Sequence, residues 1–140
     1  MSDLPSAQPG PAGSSAWVAV ERRETAGVWV LAVTGEVDLQ TGPVLQELVF
    51  AAVDQAPARL VLDLSAVRFF SAAGLTVLVA ARQRAGNRTV VRVVGGPVAG
   101  RVITVTGVDQ LVAVSATLEQ ALRGDAGTAG STPGPASNSR

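Results

Sequence analysis

The chain predicts an α/β fold: a mainly parallel mixed sheet of about five strands, opened by an antiparallel hairpin and accompanied by about four helices. Three observations carry that expectation. Residues 60–64 form a short apolar run broken only by Asp63, the pattern of a strand buried on both faces. Directly after it, Leu75, Leu78 and Val79 recur at helical spacing behind Ser71, a residue type suited to receive a helix's first free N–H groups. Beyond these, strand-like and helix-like segments alternate to the end of the patterned region, which demands right-handed crossovers and parallel neighbours.

Each element follows from local chemistry. Residues 17–24 and 28–34 are strand-like on either side of Gly27, close enough to form the opening hairpin, and Gly35 is expected to end the second strand. Residues 36–40 then form a loop, Thr41 is placed as an N-cap, and Pro43 is tolerated in the first turn of a helix reaching about residue 55. Val44, Leu45, Leu48, Val49 and Ala52 supply its inner face, and Pro57 stops it. After the strand at 60–64, residues 65–70 carry the chain off the sheet and into the helix at Ser71. Gly86-Asn87 closes that helix, and the β-branched run 89–94 is the next strand. Gly95-Gly96-Pro97 turns the chain into a helix over 98–106, then a short strand over 111–114. Ser115 is placed as the cap of a last helix over 116–122.

One domain accommodates all of this, over residues 16–123. The flanks, 1–15 and 124–140, are rich in Gly, Pro, Ser and Ala and are expected to be disordered. The 11 basic and 11 acidic residues balance, all the basic ones are Arg, and they are scattered, so no direct DNA binding is expected. Absence of Cys removes disulfides and thiolate nucleophiles, and absence of His removes the commonest metal ligand and general base. No cofactor, metal or catalytic residue is therefore assigned. Neither a signal-peptide pattern nor a bilayer-length apolar run is present, so no membrane insertion is expected and a cytoplasmic location is the default.

The order strand, Asp63-Leu64-Ser65, hydrophobic pair, small-residue turn, Gly74-Leu75, apolar helix resembles the STAS domain of bacterial anti-sigma-factor antagonists. Upstream, Val33-Thr34-Gly35-Glu36-Val37-Asp38 is similar to that family's Gly-Glu-Leu-Asp turn, and residues 116–122 are similar to its last helix. The resemblance spans roughly Trp17 to Leu122 and implies a partner, an anti-sigma factor of the serine kinase type. It also implies a partner-facing edge at Glu36, Asp38, Ser71, Ala72, Ala73, Gly74 and Leu75. Here the chain departs from the pattern. Ser71 stands at the family's Asp position and Ala72 at the position of the serine that the partner kinase phosphorylates. Alanine has no hydroxyl, so that phosphorylation cycle is chemically impossible at Ala72. A replaced original serine, or a drifted paralogue, is the plain alternative to a permanently unswitched binder.

Other candidates each carry two readings. Ser71 is an N-cap or a neighbouring phosphoacceptor beside a helix N-terminus. Glu36 and Asp38, two apart on a loop, lack the fixed geometry that general acid/base catalysis needs and read as a turn with an acidic rim. Asp63 is expected to be held by nearby backbone N–H groups or by solvent at the strand's end. Residues 95–100 are glycine-rich but lack the Lys and Ser/Thr of a phosphate loop. Arg82, Arg84 and Arg88 are a phosphate trio or solvated helix-end cations. Of Phe69 and Phe70, one belongs to the core and the other to the functional edge. The function expected is a binding module that docks on an anti-sigma factor and releases a sigma factor. Its rivals are a STAS-like scaffold or transporter-associated module, and a small hydrolase or phosphotransferase pairing Ser71 with Asp63.

Overall fold

The computed structural model describes residues 16–123 and, by its backbone, Ser6–Pro9. Six strands lie in one sheet in chain order: β1 (Ser6–Pro9), β2 (Trp17–Thr25), β3 (Val28–Val37), β4 (Arg59–Phe70), β5 (Val90–Val94) and β6 (Ala113–Ser115). The pairs β1–β2 and β2–β3 are antiparallel, and β3–β4, β4–β5 and β5–β6 are parallel. Between and after them come α1 (Gly42–Val53), α2 (Ala72–Ala85), α3 (Gly96–Thr106) and α4 (Leu118–Arg123), with a single 3-10 turn at Val108–Gln110. The architecture is the mixed α/β sheet that the alternating pattern predicts.

Sequential order fixes the layers. Each parallel crossover steps one strand in the same direction, and a right-handed step each time delivers its helix to the same face. Leu45 and Val49 of α1, Leu78 and Ala81 of α2, and Ala99 and Ile103 of α3 accordingly share one buried cluster with Leu31, Leu62 and Val93 of the sheet. On the opposite face, α4 covers Val28, Val30, Val61 and Val94 with Ala121, flanked by Leu118 and Leu122. Arg59 reaches across to hold α4, donating to the carbonyls of Ala121 and Leu122 at 3.0 Å each. A depression of about 520 Å³ has a lining that includes Trp17, Ala19, Ala32, Thr34, Asp63 and Ser65.

Several expectations are corrected. Ser6–Pro9 was expected to lack structure, yet it pairs with the free edge of β2, Ser6 opposite Val20 and Pro9 opposite Trp17. Such pairing uses main-chain groups, on which side-chain composition is silent. The remainder of 1–15, and all of 124–140, lie outside the described residues. The central strand does not leave the sheet after Leu64 but continues to Phe70, and β3 continues past Gly35 to Val37. Register shifts between Ala32 and Thr34 and between Gly35 and Glu36 are the cause. They break the two-residue alternation by which a strand is recognised, so that Ser65 and Ala66, then Arg68 and Phe69, are exposed in adjacent pairs. Gly35 bends the strand instead of ending it, with φ +103° and no room for a side chain against the Trp17 carbonyl.

Helix entries also shift. Gly96 and Pro97 belong to the first turn of α3 and not to a separate turn. The cap of α4 is Thr117, whose Oγ1 accepts from Gln120 N at 3.1 Å, while the Gln120 side chain accepts from Ala116 N at 3.1 Å. Ser115, expected to be that cap, is buried as the last residue of β6.

Candidate functional site

At the carboxyl end of β4 the chain leaves the buried Phe70 and enters α2 through Ser71. The Ser71 N–H donates to the Val37 carbonyl at 2.9 Å, which ties the α2 entry to the end of β3. Its hydroxyl accepts from Ala73 N at 3.2 Å and its carbonyl from Gly74 N at 2.9 Å, so the expected N-cap is formed. Ala72 is the first helical residue and is exposed, and its N–H has no acceptor within the helix. The dipole of α2 favours a carbonyl or acidic group at this point.

The run of small residues serves two different ends. A Cβ built at Gly42 would lie 3.1 Å from Ala73 Cβ, so Ala73 is small where the starts of α1 and α2 meet. Gly74 is buried under Phe70, and a Cβ there would come within 2.5 Å of the ring. The expectation that Gly74 gives a visitor close approach is therefore corrected: its missing side chain is filled by Phe70. Leu75 is half-buried and packs on the core, and of residues 72–75 Ala72 is the exposed one.

Beside this entry lies the turn from β3 to α1. Asp38 Oδ1 accepts from the N–H groups of Gln40 and Thr41, at 2.9 Å each, and these bonds hold its carboxyl below the ordinary aspartate range, the Thr41 N–H contributing most. Thr41 is fully buried. Its Oγ1 accepts from Asp38 N at 3.0 Å and donates to the Glu36 carbonyl at 2.7 Å. Thr41 thus holds the expected N-cap position, its carbonyl accepting from Leu45 N at 3.0 Å, but its hydroxyl locks the turn instead of accepting from the helix. Glu36 is engaged as well, with Oε2 2.9 Å from Arg68 Nη2 and Oε1 accepting from Trp17 N at 3.3 Å. Arg68 also stands over the Trp17 ring, 5.4 Å from its centroid. Glu36 is thus paired with a cation, whereas Asp38 keeps its charge and is held in place by its own loop.

The other candidates separate. Asp63 accepts from Ser65 N at 3.0 Å and from the Ser65 hydroxyl at 2.7 Å. It lies roughly 20 Å or more down the extended strand from Ser71, so the pairing an enzyme would need is not assembled. Arg84 forms a two-point bond with Asp54, at 2.7 and 2.9 Å, and stacks on Phe50, so the three arginines do not make a phosphate site. Phe70 is buried and Phe69 is 50% exposed, the expected division. Among the described residues, no group of three or more metal-ligating side chains gathers, and no helix is long and apolar enough to cross a membrane. Arg68 and Trp17 brace Glu36 without any signal in the local sequence, and Leu39 stands as a lone large apolar residue in an otherwise polar turn.

The family model of the STAS domain matches residues 19–121. The chain belongs to the STAS domain family. It is 39% identical over 99 residues to the anti-sigma-F factor antagonist RsfB of Mycobacterium tuberculosis, an alignment covering 70% of this chain and 81% of that one. An anti-sigma factor antagonist from Mycobacterium paratuberculosis superposes with a TM-score of 0.69 at 33% identity, over 82% of this chain and 97% of the other. The antagonist SpoIIAA in its unphosphorylated form superposes with a TM-score of 0.56 at 17% identity, over 76% and 97%, and speaks for the fold alone.

Proposed function

We propose that this protein is an anti-sigma-factor antagonist: it docks on an anti-sigma factor of the serine kinase type through the α2 entry and so frees a sigma factor. The observation that carries this reading is the exposed Ala72 at the start of α2, in a chain 39% identical over 99 residues to the antagonist RsfB. Ser71, Ala72 and Leu75 supply the central contacts, Ala73 and Gly74 seat them by internal packing, and the turn holding Glu36 and Asp38 forms the adjoining rim. The work is binding, and no bond in a substrate is made or broken. Because Ala72 has no hydroxyl, the complex is not released by phosphorylation at that position; control falls to expression, to the partner, or to another residue.

A pull-down with the purified anti-sigma factors of the source organism tests this, using wild type and Ala72→Ser side by side with ATP. Wild type stays bound, whereas Ala72→Ser gains one phosphoryl group by intact mass and dissociates. Failure of wild type to associate with any of them removes the reading. Phosphorylation of wild type at Ser71 followed by release would remove the unswitched part of it.

A further inference from the structure

Leu39 is 82% exposed in the turn between β3 and α1. A single exposed leucine needs no explanation by itself. This one, however, stands on a backbone held from both sides. The Asp38 carboxylate binds the N–H groups of Gln40 and Thr41, the buried Thr41 hydroxyl bridges Asp38 N and the Glu36 carbonyl, and Gly42 N donates to the Asp38 carbonyl at 2.8 Å. The turn is ordered before any partner arrives, which lowers the entropy cost of burying its tip. Phe69, half exposed, lies opposite Glu36 at the end of β4, so both apolar side chains stand at the sheet end from which α2 starts. Of the two carboxylates of the turn, Glu36 is paired with Arg68, and Asp38 keeps its charge while its Oδ1 is held by the N–H groups of its own loop.

Resting on the anti-sigma-factor reading above, we propose that Leu39, assisted by Phe69, is an apolar anchor that enters an uncharged pocket on the anti-sigma factor. Asp38, on the rim, and the buried Thr41 are positioning residues that act on binding by holding Leu39. The charges argue for that partner chemistry. A basic surface would find Glu36 already paired with Arg68, whereas an apolar pocket meets a leucine already oriented. Binding through such an anchor is carried by apolar burial at its centre and is little screened by salt.

Calorimetric titration of wild type, Leu39→Ala, Phe69→Ala and Asp38→Asn against the purified kinase-type anti-sigma factors of the source organism, at low and high salt and with Tm measured in parallel, tests this. Leu39→Ala weakens binding by about tenfold or more with Tm unchanged, Phe69→Ala weakens it by a smaller factor, and wild-type affinity barely moves with salt. Asp38→Asn weakens binding in the wild-type background and not in the Leu39→Ala background; equal weakening in both would overturn the positioning role. Wild-type affinity in Leu39→Ala, or a steep loss of wild-type affinity with salt, overturns the inference while the function reading stands. Absence of binding by wild type overturns both.

Discussion

Helices α1 and α2 start at the carboxyl ends of neighbouring parallel strands, each directly after a residue with a hydroxyl, yet the two hydroxyls do different work. Ser71 is half-buried and caps α2 by accepting from Ala73 N. Thr41 is fully buried and turns back to the strand it came from, bridging Asp38 N and the Glu36 carbonyl. At α2 the entry is kept open and ends in the exposed Ala72; at α1 it is closed into a rigid turn with Leu39 at its tip. One end of the sheet thus joins a surface that can be approached to a frame that holds it.

Thr41→Val should break the frame most. It keeps the volume, removes the bridge and orphans two main-chain groups inside the turn, at a cost of about 2–3 kcal/mol measured by urea unfolding. Gly74→Ala sharpens the other side of the comparison. If the glycine serves the Phe70 ring and not a partner, the variant loses about 1–3 kcal/mol even with no partner present, and Phe70→Leu in the same chain recovers part of it. Ser71→Ala removes one cap bond and should cost only about 1 kcal/mol, less than Thr41→Val despite the similar sequence setting.

Acid titration gives the smallest effect. Asp38 has a lowered carboxyl pKa in the folded chain, so its contribution to stability is complete above the unfolded value of about 3.9 and is lost as pH falls through the lower folded value. Asp38→Asn should flatten the decline of the urea midpoint below about pH 4 relative to wild type. An unchanged slope would mean that the Gln40 and Thr41 N–H bonds do not favour the charged form.

The order of elements, the hairpin, the three crossover helices and the cap at Ser71 were legible because each rests on local spacing or a local residue type. Even the helix at 98–106, rich in β-branched residues, could be placed by the slot it had to fill. What could not be read depends on contacts between segments distant in the chain. Nothing near residues 65–70 announces that β4 continues, because irregular pairing with β3 disrupts its alternation. Thr41 stands at the N-cap position as its neighbours suggest, and only the return of its hydroxyl to Glu36 shows that its side chain serves the turn. The small residues at 72–74 look equivalent in sequence, and Gly42 and Phe70 decide that Ala73 and Gly74 serve the interior.

The central claim, that the α2 entry is the surface a partner covers, is tested most directly by Ala72→Asp, measured for both stability and affinity. A carboxylate at the first position of α2 is favoured by the helix dipole, so the fold should be unharmed or gain about 0.3–1 kcal/mol. Affinity for the purified anti-sigma factor should nonetheless fall by about tenfold or more as a charge is placed in the contact. A stable Ala72→Asp protein that binds the anti-sigma factor as tightly as wild type would contradict the account.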